Sequence, residues 1–142
     1  MAEATSRRLL IHTDGAARGN PGPAGLGAVL RDAANGEVVA ELARFLGTRT
    51  NNYAEWTAVE AALEEALRLG ATEVDLRMDS ELVARQISGR YRVKHADLKP
   101  IHARVMAMLG RLRGYSVGHI PRELNRDADR LSNVAIDERR ER

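Results

Sequence analysis

Read from the amino end, the apolar pattern of this chain changes period twice, and that change restricts the fold more than any other feature. Leu9 to Thr13, Gly27 to Arg31 and Val38 to Phe45 are short runs with strand character. From Tyr53 to Leu69 apolar residues recur at helical spacing, at Ala54, Ala58, Ala61, Ala62, Ala66 and Leu69, with Glu60, Glu64, Glu65 and Arg68 between them. Glu73 to Met78 then returns to alternation, with Val74, Leu76 and Met78 on one side. Three hairpin strands followed by alternating helices and strands fit one mixed sheet covered by helices, an α/β single domain.

The punctuation agrees. Asn35-Gly36 is a hairpin signal between the second and third strands, and the glycine- and proline-rich segment from Ala16 to Gly27 reads as a tight, irregular loop. Gly70 stops the long helix. Further on, Glu81 to Ile87 reads as a short helix and Leu98 to Arg113 as a longer one with Pro100 in its first turn. Tyr115 to Ile120 is a fifth strand, and Leu124 to Ile136 a last amphipathic helix that faces the core through Leu131, Val134 and Ala135.

A length of 142 residues suits one domain, with residues 1–8 as an N-terminal extension, 9–137 as the folded unit and 138–142 as a charged tail. The chain has no cysteine, which excludes disulfides, thiolate metal sites and a cysteine nucleophile. Arg7 and Arg8 precede only the brief apolar run Leu9 to Ile11, too short for a signal-peptide core or a membrane span, so a cytoplasmic protein without membrane contact is expected. The net charge is +2 and the pI about 9.4, because arginine dominates the bases; this points only weakly to a polyanionic partner.

The acids carry more. Asp14 closes the first strand, Asp79 closes the fourth, Glu55 is expected in the first turn of the long helix and Asp129 early in the last one. Each alone suits a helix start or a turn. Together they are harder to explain away, because Asp14 and Asp79 follow strands that are at least half buried, where a carboxylate is costly without a compensating cation or donor. Oxygen-only ligands select a hard ion, Mg2+ or Mn2+. A pair of such ions, typically about 4 Å apart, suits phosphoryl transfer by in-line displacement.

The residues around those acids carry a resemblance. Thr13-Asp14-Gly15-Ala16-Ala17-Arg18-Gly19-Asn20-Pro21-Gly22-Pro23-Ala24-Gly25, then Thr50-Asn51-Asn52-Tyr53-Ala54-Glu55, then Asp79-Ser80, resemble the successive motifs of type 1 ribonuclease H. The segment from His119 through Arg122-Glu123-Leu124-Asn125-Arg126-Asp127-Ala128-Asp129 is similar to that family's C-terminal block, in which a histidine precedes the last aspartate by ten residues. The motifs run in order from about Leu9 to Ile136.

The resemblance implies a five-stranded mixed sheet flanked by helices, and an endonuclease that cuts the RNA strand of RNA/DNA hybrids to leave 5′-phosphate and 3′-hydroxyl ends. It implies Asp14, Glu55, Asp79 and Asp129 as ligands of two Mg2+ or Mn2+ ions with substrate bound, and His119 as an aid to proton transfer or product release. The segment Gly15, Ala16, Arg18 and Asn20 would meet the RNA strand, with Thr50, Asn51 and Asn52 helping to hold the hybrid; small residues permit close approach, and amides and hydroxyls suit phosphate and the 2′-hydroxyl. A monomer is expected. His12, His95 and His102 lie outside these motifs and read as structural or surface residues. Ile87 to Asp97 departs from relatives with a basic helical handle and offers only Arg90, Tyr91, Arg92, Lys94 and His95. Two other functions fit the same fold, a non-catalytic hybrid-binding module and a nuclease acting on DNA.

Overall fold

The computed structural model describes residues 6–139. Its elements are β1 (Arg8–Ala17), β2 (Gly22–Asp32), β3 (Val38–Arg49), α1 (Asn51–Arg68), β4 (Glu73–Met78), α2 (Glu81–Ile87), α3 (Lys99–Gly110), β5 (Gly114–His119), a 3-10 turn at Arg122–Leu124 and α4 (Arg126–Glu138). The strands form one sheet in the order β3-β2-β1-β4-β5. The first three are antiparallel hairpin neighbours, whereas β4 pairs parallel with both β1 and β5. This is the mixed α/β sheet that the sequence predicts.

Alternation along the strands assigns the two faces. Leu9 and Ile11 of β1, Leu26 and Leu30 of β2, and Val74, Leu76 and Met78 of β4 are buried in the main core, beneath Trp56, Val59, Leu63 and Ala66 of α1 and Ile101, Val105 and Leu109 of α3. On the opposite face α4 lies across β2, with Leu131 and Ala135 packed on Val29 and Ala43. Val134 is only half buried; the inward stripe of α4 is Ala128, Leu131, Ser132, Ala135 and Ile136. Burying both sheet faces is what drives this arrangement, since each apolar stripe needs an opposing layer.

Several boundaries differ from the sequence expectation. β1 does not stop at Asp14 but continues to Ala17, because its antiparallel pairing with β2 runs on through Ala17↔Ala24. The irregular loop therefore shrinks to residues 18–21, which include the cis Asn20-Pro21 peptide. Gly36 takes the positive φ that the hairpin signal promised, within a loop of residues 33–37 closed by Asp32 N–H to Glu37 O at 2.9 Å. α1 starts at Asn51, capped by the Thr50 hydroxyl accepting from the Tyr53 N–H, and Glu55 consequently lies in the second turn. α3 ends at Gly110 and β5 starts at Gly114. Residues 1–5 of the expected extension and 140–142 of the expected tail lie outside the described residues, while Arg8 belongs to β1 and Glu138 to α4. No helix among the described residues is long and apolar enough to cross a membrane.

Candidate active site

Two strands bring the first two carboxylates together. The parallel ladder of β1 and β4 ends at the pair Thr13↔Met78, so Asp14 and Asp79 are each the next residue beyond it and emerge side by side. Glu55 reaches the same point from α1. The helix comes close because residue 15 is glycine: a Cβ there would collide with the backbone of Ala54 and Glu55. Ligand oxygens of Asp14, Glu55 and Asp79 lie within 4.8 Å of one another, and Asp14 and Glu55 are both about 95% buried, with 4% and 5% of their surface exposed.

That crowding has an electrostatic signature. Burial, reinforced by the negative charges of Glu55 and Asp79, pushes the Asp14 carboxyl up to about 10. Glu55 is pushed up to about 8, chiefly by burial and by Asp79, against the stabilising hydrogen bonds it accepts from Asp14 and from the Gly15 N–H. Carboxylates so placed retain protons unless a cation replaces them. An all-oxygen donor set with that conflict fits a hard divalent ion.

Asp129 stands slightly apart. It sits near the start of α4, hydrogen-bonded to the Asp14 carboxyl, with Arg122 at 3.6 Å and the Asn133 amide donating to it at 3.4 Å. Its distance from the sheet is set by Gly27, where a Cβ would collide with the Ala128 carbonyl, so the last carboxylate also depends on a missing side chain. Asn133, which the sequence reading missed, follows Asp129 by one helical turn; that spacing alone was the available signal.

His119 ends β5 opposite Met78, is exposed and lines the same cleft, while the Ile120 N–H ties the following loop to the Met78 carbonyl at 2.8 Å. The cleft, about 540 Å³, holds all four acids together with Gly15, Ala16, Arg18 and Asn51. Ser80, Arg122 and Asn133 line it as well. Arg18 lies along α4, paired with Asp137 at 2.6 Å and donating to Asn133 at 3.2 Å. Of the other predicted contacts, Asn20 accepts from the Asn51 N–H at 3.0 Å and Thr50 caps α1, so both shape the rim and do not line the cleft.

Asn52 faces a second groove of about 650 Å³ that contains Arg90, Tyr91, Arg92, Lys94 and His95. The few residues that Ile87 to Asp97 offers in place of a basic handle are thus gathered on one surface. Of the remaining histidines, His102 packs edge-on against Trp56 at 5.4 Å, and His12 is half buried with its pKa lowered by burial and by Arg31 and Arg77.

Comparison with known proteins agrees with this layout. The model of the family described as reverse transcriptase-like matches residues 12–135. A bifunctional protein of Mycobacterium tuberculosis is 45% identical over 130 residues, covering 92% of this chain and 36% of that protein. The ribonuclease HI of Halobacterium salinarum is 41% identical over 131 residues, covering 92% of this chain and 65% of that protein. The chain thus spans about a third of the length of the first relative and under two thirds of the second. A crystal structure of RNase H1 from the same halophile superimposes with a TM-score of 0.88 at 41% identity, covering 92% of this chain and 98% of that one. LC11-RNase H1, crystallised in complex with an RNA/DNA hybrid, gives a TM-score of 0.86 at 43% identity, with 92% and 98% covered.

Proposed function

This chain belongs to the type 1 ribonuclease H family, and from that premise we propose that it hydrolyses the RNA strand of RNA/DNA hybrids, leaving 5′-phosphate and 3′-hydroxyl ends. The observation that carries the reading is the convergence of Asp14, Glu55 and Asp79 at the end of one parallel strand pair, with burial and mutual repulsion holding protons on two of them.

Asp14, Glu55, Asp79 and Asp129 would hold divalent ions, Mg2+ or Mn2+, two per site when substrate is bound. The bound ions supply Lewis acidity, lowering the pKa of a water and neutralising charge on the departing oxygen. The chain's own residues do the rest. Gly15 and Ala16 line the cleft beside the acids, where the RNA backbone would approach, and Arg18 and Asn51 offer donors to its phosphates and sugars. His119, exposed at the cleft edge, exchanges a proton with solvent near the leaving group. The groove of Asn52, Arg90, Tyr91, Arg92 and Lys94 receives the other strand. Recognition through backbone and shape gives little sequence preference. We assign the protein a monomeric, cytoplasmic setting.

The test is an end-labelled hybrid incubated with Mg2+ or Mn2+ beside an Asp79→Asn variant. Metal-dependent cutting of the RNA strand alone, lost in the variant, is the expected result. Binding of the hybrid without cutting would leave a binding module, and cutting of duplex DNA would move the chain to a DNA-directed nuclease.

A further inference from the structure

Between α2 and α3 the chain runs through residues 88–98 without regular secondary structure, yet this is the segment that carries the second groove's cations. Its first residues are held by the Arg85 carbonyl, which accepts from the N–H groups of Arg90 at 2.9 Å and Tyr91 at 3.2 Å. Beyond them a single side chain reaches out from the core. Gln86, 7% exposed, donates from Nε2 to the Arg92 carbonyl at 3.3 Å and accepts at Oε1 from the Trp56 indole N–H at 3.0 Å. Trp56 is fully buried and adjoins Glu55 in α1.

We infer that Gln86 is a positioning residue for hybrid binding: its buried amide, donating to the Arg92 carbonyl, ties the Arg90 to Lys94 segment to α2. Both ends of the amide are used, and its orientation follows, since the indole can only donate and the carbonyl only accept. Val93 is buried between Arg92 and Lys94, so fixing the Arg92 carbonyl also fixes the direction in which the two flanking cations leave the surface. Without that bond the stretch around Arg92 would be less ordered before substrate arrives, and the added ordering cost would appear as lost affinity. The bond does not touch the acids, so the chemical step is left intact. This inference rests on the reading of the groove as the site of the second strand.

The experiment is fluorescence anisotropy of a short labelled hybrid, without divalent metal, over a range of salt, on wild type, Gln86→Met and Trp56→Phe, with thermal melts of each. Gln86→Met is expected to bind roughly three- to tenfold more weakly, the equivalent of one hydrogen bond, with a salt slope shallower by about one phosphate contact. Trp56→Phe removes the indole bond but leaves Gln86 free to hold Arg92, so its affinity should stay within about twofold of wild type although it melts earlier. Unchanged affinity and salt slope in Gln86→Met, or an equal loss of affinity in both variants, would overturn the proposal. Should Gln86→Met fail to fold, Gln86→Asn keeps the amide but is one methylene too short to reach the Arg92 carbonyl, and the same loss of affinity is expected. A wild type that binds the hybrid but does not cut it would remove the nuclease reading while leaving this comparison intact.

Discussion

Gly15 and Glu55 are coupled twice: the Gly15 N–H stabilises the charge of the Glu55 carboxylate, and the absence of a Gly15 side chain is what admits the Ala54-Glu55 backbone against β1. One residue of a strand therefore sets both the height of a helix and the direction of the acid on it.

Gly15→Ala should consequently damage the site more than the fold. The new Cβ would meet backbone and no flexible side chain, so α1 has to move, at a cost of about 3 kcal/mol. A displacement of Glu55 by about 1 Å is expected to lower kcat on the order of 100-fold. Denaturant unfolding beside turnover assays would check both. Full activity in a folded variant would show that the close approach does not set the geometry.

The crowded acids predict an unusual pH response in metal-free protein. Above about pH 7 the unfolded chain has released all its carboxyl protons, whereas the folded chain still holds them on Asp14, up to about 10, and in part on Glu55, up to about 8. The native state then binds more protons than the unfolded state, so stability falls as pH rises from about 7 to about 9. His12 acts with the opposite sign, its folded pKa being lowered, but only as pH falls through its ordinary range near 6.5, below this window. Melts in EDTA should show the decline. Mn2+ should reverse it, because the metal takes the place of the protons, and Asp14→Asn should flatten it. A metal-free melting temperature that rises over this interval contradicts the electrostatic account.

His119→Ala is expected to separate proton transfer from metal binding. His119 is exposed and ends β5 beyond the group of acids. Its loss should lower kcat by roughly 100-fold or more, leaving KM and Mn2+ affinity unchanged. Calorimetric titration of Mn2+ into both proteins would test the second half; a weakened isotherm would make His119 part of the metal site.

With Arg90, Arg92 and Lys94 in one groove and Arg18 and Arg122 at the cleft, the chain should bind hybrid through few phosphate contacts and with marked sensitivity to salt. Replacing Arg90, Arg92 and Lys94 together by alanine should weaken binding and reduce the slope of log K against log salt by about 2 to 3. If the slope does not change, the second strand lies elsewhere.

Much of this was legible from residue order. The strand and helix alternation predicts the mixed sheet, and all four acids fall in one cleft. What sequence could not show was pairing. Asp14 reads as a strand terminus because glycines follow it, yet β2 supplies partners for three more residues; the terminus it marks is that of the β1 to β4 ladder alone. Likewise Glu55 looks like a first-turn acid until Thr50 is seen to cap the helix earlier, which moves it inward to a buried position. Asn133 offers only its one-turn spacing from Asp129, and Gln86 carries no local signature, since its amide gains its role from the groups that tertiary packing sets beside it.

The parallel pairing of β1 and β4 also acts as a ruler. Neighbouring strands in any sheet stand about 4.8 Å apart, so the distance between the backbones of Asp14 and Asp79 is fixed by main-chain hydrogen bonding and not by the choice of surrounding side chains. Substitutions nearby can tilt the two acids but cannot re-space them. The gap should therefore be as durable as the innermost ladder of the sheet, and the amides of Ile11 to Thr13 and Leu76 to Met78, among the slowest to exchange with solvent, would report on the rigidity of the site itself.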